Sequence, residues 1–186
     1  MSLAHRRILQ AIVIFGMGIF VATGNAILQG SPQAAESQGF TITSPAFAND
    51  AKIPSTFTCS GDNQSPPLTW RDAPARTRSY LLILRDPDAP SGEFIHWVAF
   101  DIPGSTHKLE QGISRSGPPP QGTNGFGRIG YDGPCPPPGR VHHYKFELTA
   151  LDATLNLRPG ASAKEVESKA FAHRLATTEL SGEFAR

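Results

Sequence analysis

The chain contains no run of lysine or arginine, and its formal net charge is only +1. A bulk electrostatic attraction to nucleic acid is therefore excluded. Only two cysteines occur, and the cysteine and histidine spacings do not match a zinc site. There is no phosphate-binding glycine loop of the nucleotide-enzyme type and no nucleophile-elbow serine. We therefore expect neither a metal ion nor another cofactor.

Glycine and proline are abundant instead, with 18 and 17 residues. They indicate many turns and few long helices, and so a mainly β protein. Hydrophobic residues make up 39% and charged residues 18%, which is typical of a folded chain rather than a disordered one. One domain of ordinary size is expected.

The N-terminal segment has the layout of an export signal. His5 to Arg7 form a short basic start, Ala11 to Ala22 are apolar residues and glycine, and small residues follow at Gly24 to Ala26. This order is typical of a cleaved secretory signal. The alternative is an uncleaved anchor, since Ile8 to Leu28 could span a bilayer.

We therefore predict a signal peptide or N-terminal membrane anchor over residues 1–28, a linker over 29–39 and one domain over 40–186. The domain is expected in the periplasm or outside the cell, or at a membrane that only its N-terminal segment contacts. Outside the cytosol an isolated cysteine pair is more often a disulfide, so Cys59 and Cys135 are expected to be bonded. Two buried thiols are the alternative.

Short alternating or continuous apolar segments predict strands and extended segments. These are Phe40–Thr43, Thr56–Cys59, Ser65–Trp70, Ser79–Arg85, Phe94–Ile102, Tyr144–Leu151 and, as a final edge strand, Thr177–Phe184. The nearly continuous apolar run Ser79–Arg85 should be covered on both faces. One helix is predicted near residues 162–176, because Ser162 and Glu165 form a capping-box pattern and the following apolar residues have helical spacing.

Three segments could carry chemistry. The first is Asp86 to Pro90, whose two carboxylates point the same way in an extended chain and could share a cation or a proton. The second is His96, a side chain ready to change charge near neutral pH. The third is Gly130 to Tyr144, a rigid loop with backbone N–H groups for an anion, followed by His142 and Tyr144 on one strand face. The alternatives are a polar turn, a satisfied core histidine and a turn into an ordinary strand.

These segments resemble the phosphatidylethanolamine-binding protein family, in its bacterial Raf-kinase-inhibitor-like branch. The resemblance rests on Thr58–Trp70, Asp86–Pro90, His96–Val98 and Gly130–Tyr144, in order and at family-like separations, and covers about Phe40 to the C-terminus. It implies a large central antiparallel sheet packed on a smaller sheet, with few peripheral helices. It also implies a pocket for phosphate, acetate or a phosphoethanolamine headgroup. The implied ligand-binding residues are Asp86, Asp88, Pro90, His96, Gly133, Cys135, Pro136, His142 and Tyr144.

The chain departs from the family at His143, where the usual motif has arginine. One permanent positive charge is thereby lost near the rim, although Arg140 could replace it. Two ionised aspartates would repel an anion, so binding is expected to need a protonated His96 or His142, or an aspartate that acts as a proton donor.

Three functions are compatible with these residues. The resemblance implies a non-enzymatic binding module for a phosphate-bearing small molecule, lipid headgroup or modified protein. Family members also include inhibitors of kinases and of serine proteases, so a regulator of an envelope protein is the second hypothesis. The third is a hydrolase that uses the Asp/His cluster as acid and base, and it needs a nucleophile or activated water that the sequence does not reveal.

Overall fold

The computed structural model describes residues 39–186. The predicted signal or anchor, and all of the predicted linker except Gly39, lie outside the described residues. Within this range the strands are β1 Thr41–Thr43, β2 Ala51–Lys52, β3 Leu68–Arg71, β4 Ser79–Asp86, β5 Phe94–Pro103, β6 Lys108–Leu109, β7 Val141–Leu151 and β8 Arg174–Ala185. The α-helix, α1, spans Ala163–Ala170. Among the helices of residues 39–186, none has the length and apolar character needed to cross a membrane.

The strands form two sheets. The larger has five strands in the order β2-β8-β7-β4-β5, and the smaller has three in the order β1-β3-β6. All neighbouring strands are antiparallel except β2, which pairs parallel to β8. The expected architecture, a large and mostly antiparallel sheet with a smaller sheet beside it, is confirmed.

The large sheet is covered on both faces, because successive side chains of a strand point to opposite sides. Leu82 and Leu84 of β4 share one hydrophobic cluster with Trp70 of the small sheet. Leu81 and Ile83 belong to a second cluster, which includes two residues of α1. All eight residues of β4 are buried, so the prediction that this strand is covered on both faces is confirmed.

Helix α1 starts as the sequence predicts and ends earlier. The hydroxyl of Ser162 accepts the backbone N–H of Glu165, as the capping-box pattern requires. The helix ends at Ala170, and a 3₁₀ turn follows over Phe171–His173. The prediction that the helix continues to residue 176 is wrong, because the chain from Arg174 onward pairs with β7 along its whole length.

Two strand predictions also need correction. The last strand is not at an edge: β8 lies between β7 and the short β2. The segment Thr56–Cys59 is not a strand, because Ser55–Phe57 form a 3₁₀ turn. The Thr58 hydroxyl donates to the carbonyl oxygen of Ser55, at 3.0 Å, and the backbone N–H of Thr58 bonds to the same oxygen. Such local bonds compete with strand pairing.

Arg85 joins α1 to the large sheet. Its guanidinium lies within 2.6 Å of Glu167 in α1, 2.8 Å of Glu93 and 3.7 Å of Glu147 in β7. Burial disfavours the charge, but the three carboxylates outweigh burial and raise the pKa of Arg85. The guanidinium therefore offsets part of the repulsion among the three carboxylates around it.

Replacement of this cation by an apolar side chain of similar length should destabilise the domain. For Arg85→Met we expect the free energy of unfolding to fall by about 3 kcal/mol, since carboxylates near the sheet lose their counter-charge. Urea unfolding of the purified domain measures this change in the free energy of unfolding. Arg76→Ala removes an exposed arginine and should stay within about 0.5 kcal/mol of the wild type. Equal stability of Arg85→Met and wild type would contradict this role.

Candidate functional site

Three strand ends meet at one end of the large sheet. β4 ends at Asp86, β5 begins at Phe94 and β7 begins at Val141. Because β4 is antiparallel to both neighbours, its last residues lie beside the first residues of β5 and β7. The segments Asp86–Pro90 and Gly130–Tyr144 therefore come together around His96.

A cavity of about 160 Å³ opens between these segments, and we call it the β4-end cavity. Its lining residues are Asp86, Ala89, Pro90, Ser91, Phe94, His96, Phe126, Cys135, Pro136, Pro137 and His142. Six of the nine residues that the resemblance implies are among them. Five lining residues were not predicted: Ala89, Ser91, Phe94, Phe126 and Pro137. Of these, Phe126 could have been proposed from the sequence, because it is an aromatic residue between two glycines in a turn-rich loop.

A β-bulge aims His96 at this cavity. Leu84 pairs with Trp97, but the next residue, Arg85, pairs with Ile95, so His96 is the extra residue in β5. Ile95 then packs on the α1 side of the sheet, while the His96 ring lies 5.3 Å from that of Tyr144 on the other side. Strict alternation along β5 would place His96 on the opposite face from Trp97, but the bulge places both on the face that Tyr144 shares.

Main-chain carbonyls determine the protonation of His96. Nδ1 lies 2.9 Å from the carbonyl oxygen of Asp132 and 3.1 Å from that of Gly133. A carbonyl oxygen only accepts, so Nδ1 carries the proton and Nε2 is left for a ligand. Burial lowers the pKa of His96, and its hydrogen bond to Asp132 and the charge of Asp86 offset this only in part. The neutral His96 ring therefore persists to a lower pH than that of an unperturbed histidine.

Asp86 and His142 form a buried pair across β4 and β7. Asp86 Oδ2 accepts from His142 Nδ1 at 2.7 Å, and both side chains are less than 5% exposed. The other carboxylate oxygen accepts the backbone N–H of Asp88 at 2.9 Å. Both oxygens of Asp86 are thus occupied within the protein, and His142 Nε2 is the second ring nitrogen left for a ligand.

Tyr144 lies beneath the cavity and does not line it. Its side chain is fully buried, and its hydroxyl has no partner in hydrogen-bonding geometry among residues 39–186. The Asp86 carboxylate and the Cys135 main chain are its polar neighbours. Burial, then the negative charge of Asp86, raise the pKa of Tyr144. The hydroxyl therefore remains a potential donor at any physiological pH.

Asp88 lies in a neighbouring cavity rather than in the β4-end cavity. This second space, of about 530 Å³, also includes Arg140, and it shares Pro90, Pro137 and His142 with the first. Asp88 Oδ2 accepts from both the backbone N–H and the ring Nδ1 of His143, at 2.8 and 2.7 Å.

The Asp88–His143 pair is half-exposed, unlike the Asp86–His142 pair. The backbone and ring donors of His143 lower the pKa of Asp88, and the hydrogen bond to Asp88 raises the pKa of His143. Each partner thus favours the charged form of the other. His143, which stands where the usual family motif has arginine, therefore compensates the negative charge of Asp88 on the outer side of β7.

Asp132 anchors the loop that carries the cavity wall. Its carboxylate receives hydrogen bonds from Arg115 at 2.8 Å, Arg128 at 2.7 Å and Asn124 at 2.7 Å. Burial works against ionisation, but these donors outweigh it and hold the pKa of Asp132 below its usual value. The Asp132 carboxylate therefore stays charged, and it orients the carbonyl groups that bind His96.

A second anchor holds the same loop against the segment Phe57–Asn63. Cys59 and Cys135 form a disulfide across a sequence separation of 76. The backbone N–H of Gly133 donates to Asn63 Oδ1 at 2.7 Å. A Cβ at Gly133 would lie 2.2 Å from the Phe57 carbonyl oxygen, so only glycine fits there. Gly133 is thus a backbone contact behind the cavity and does not line it.

Between Gly39 and Arg186, no group of three or more His, Cys, Asp or Glu side chains is arranged to hold a metal ion. What the arrangement offers is two histidine ring nitrogens beside a buried carboxylate, in a small cavity.

Comparison with known proteins identifies relatives of the whole domain. Residues 43–185 match the family model described as phosphatidylethanolamine-binding protein. A UPF0098 protein of Pyrococcus horikoshii is 41% identical over 186 aligned residues, covering 96% of this chain and 87% of the relative. LppC of Mycobacterium tuberculosis, named as a candidate lipoprotein, is 44% identical over 135 residues, covering 69% of this chain and 64% of LppC.

A solved structure agrees with these sequence matches. The crystal structure of E. coli YbcL, described as a new member of the mammalian PEBP family, has a TM-score of 0.74 and 30% sequence identity. The similarity covers 79% of this chain and 98% of YbcL.

The disulfide should contribute to stability through the unfolded chain. A cross-link across 76 residues is expected to add about 4 kcal/mol by loss of loop entropy. Replacement of both cysteines by serine should lower the free energy of unfolding by about that amount. Urea unfolding of the double variant tests this, and wild type in dithiothreitol should approach the same value. Equal stability of oxidised wild type and the double variant would contradict the prediction.

Proposed function

The chain belongs to the phosphatidylethanolamine-binding protein family, and we propose that its domain binds a phosphate-like anion in the β4-end cavity, without chemical turnover. One observation carries the proposal. His96 and His142 both line this cavity, and each uses Nδ1 for an acceptor within the protein. Their Nε2 atoms are therefore both left for one small ligand.

The size of the cavity supports a headgroup rather than a whole lipid. At about 160 Å³ it is smaller than the roughly 300–1,000 Å³ of pockets for drug-sized ligands. A phosphate group or a phosphoethanolamine headgroup of a lipid or small molecule suits this space. Acyl chains would have to remain outside.

The buried carboxylate of Asp86 sets the electrostatic condition for binding. An anion beside it would be repelled unless a positive charge is present. Nδ1 of His142 lies 2.7 Å from Oδ2 of Asp86. Protonation of His96 or His142 would supply the positive charge. Arg140, in the adjoining cavity, adds a permanent cation near the rim.

The residues at the cavity favour binding over hydrolysis. Ser91 is the hydroxyl side chain among the lining residues, but within residues 39–186 it makes no hydrogen bond to His96 or His142. A serine nucleophile would need such a base. A regulatory role toward an envelope protein rests on the same cavity, since the partner would have to present a phosphate-like group to it.

An extracytoplasmic location is part of this proposal. The N-terminal sequence pattern, the disulfide between Cys59 and Cys135 and the candidate-lipoprotein name of the relative LppC support it. Disulfides persist in oxidising compartments and are rare in the cytosol. The expected ligands are therefore those of the cell envelope.

Removal of one ring nitrogen should weaken anion binding. For His142→Ala we expect the Kd for inorganic phosphate and for phosphoethanolamine to rise at least about tenfold, since a hydrogen bond to a charged group is lost. Isothermal titration calorimetry on the folded variant measures this. His173→Ala is the control, because His173 is a half-exposed histidine that pairs with Asp152. Unchanged binding by His142→Ala would refute the site.

Anion affinity should depend on pH. Because burial lowers the pKa of His96 below the ordinary histidine value of 6.5, the positive charge appears only as the pH falls below that value. We expect sulfate to bind at least about tenfold more tightly near pH 5 than near pH 8. Sulfate keeps its own charge over this range, so the change reports on the protein. The dependence should weaken in His96→Gln, and equal affinity of wild type at both pH values would exclude the mechanism.

A further inference from the structure

Phe126 is an aromatic side chain that the fold leaves partly uncovered. It is 44% exposed, and it is one of four exposed large hydrophobic residues in the described range. The other three, Ile129, Val141 and Phe171, are not among the residues that line the β4-end cavity. Phe126 is. The exposed part of Phe126 therefore lies at the mouth of the proposed anion site.

The backbone of Phe126 is held in a fixed turn. The side-chain oxygen of Asn124 accepts the backbone N–H of Phe126 at 2.9 Å and that of Arg128 at 3.2 Å. Gly127 between them has a φ of +74°, which favours glycine. The amide of buried Asn124 donates to Asp132 at 2.7 Å. The turn is thus tied to the same carboxylate that anchors the cavity wall.

Neighbouring rings hold the side chain as well. The Phe126 ring meets Phe94 edge to face at 4.7 Å and His96 at 5.5 Å between centroids. Gly125 allows the close approach, since a Cβ there would lie 2.5 Å from the Phe94 ring. The exposed part of Phe126 is therefore an ordered surface directly beside His96.

The cavity is polar inside and apolar at its mouth. Asp86, His96 and His142 supply the polar groups, whereas Phe94 and Phe126 supply aromatic rings. An anion bound to the histidines would direct its substituent past the Phe126 ring. A flat apolar substituent would cover the exposed ring and gain an aromatic contact.

A cationic substituent would gain less from this ring. The guanidinium of Arg128 already lies 5.2 Å from the Phe126 centroid. The face of an aromatic ring attracts a cation, but a second cation near the same ring is repelled by the first. Arg128 therefore biases Phe126 toward an uncharged apolar group rather than an ammonium.

We propose that Phe126 is a specificity-determining residue that makes the β4-end cavity select phosphate monoesters whose substituent next to the phosphate is flat and apolar. This inference rests on the proposed function, because it needs an anion at His96 and His142. It goes beyond that function by stating which class of phosphate monoester binds best and which residue discriminates among the monoesters.

The test compares three monoesters by isothermal titration calorimetry at one pH: methyl phosphate, phosphoethanolamine and phenyl phosphate. Wild type should bind phenyl phosphate about fivefold more tightly than methyl phosphate, the gain expected of one aromatic contact. Phe126→Ala should abolish this preference, so that the Kd values for phenyl phosphate and methyl phosphate become equal. Phe126→Tyr keeps the ring and should retain the preference.

Phe171→Ala is a matched control. Phe171 is also an exposed phenylalanine, at 74%, with Arg174 5.8 Å from its ring, and its removal should change none of the three affinities. Equal binding of phenyl and methyl phosphate by wild type overturns the inference, as does a preference that survives in Phe126→Ala. Absence of methyl phosphate binding to wild type overturns the proposed function together with this inference. Thermal unfolding of each variant verifies that it is folded.

Discussion

Asp132 carries a buried carboxylate in the loop before β7, and two arginines and two asparagines donate hydrogen bonds to it. Because these donors hold the loop in place, its carbonyl groups meet Nδ1 of His96 and leave Nε2 to the cavity. Of the two asparagines, Asn124 also holds the turn that carries Phe126. The loop position, the tautomer of His96 and the aromatic mouth of the cavity therefore depend on one charged group.

Two aspartate–histidine pairs follow from the alternation of one strand. His142 points inward from β7 and pairs with Asp86, whereas His143 points outward and pairs with Asp88. The chemistry is the same, but burial differs: the inner pair is nearly inaccessible and the outer pair is half-exposed. A buried pair can respond to a ligand, while an exposed pair is screened by water and mainly compensates the charge of Asp88.

Much of the fold could be predicted because strand alternation is local. The core strand β4, the start of α1 at Ser162 and the two-sheet arrangement implied by the family resemblance all appear in the structure. The predicted end of the helix failed for a non-local reason. Its last residues, from Arg174 onward, belong to β8, whose ladder with β7 outweighs the helical spacing of apolar side chains. Local propensity is a weak prior when long-range pairing is available.

For the candidate site, the chemical groups can be read directly from the chain: two aspartates after a core strand, histidines at set positions and a loop rich in glycine and proline. How these groups are used depends on the folded arrangement. The bulge at His96, the outward position of Asp88 and the arrival of Phe126 at the cavity depend on pairings between residues far apart in the chain. Side-chain direction in a sheet reverses with a shift of one residue, and no local pattern in the chain specifies such a shift.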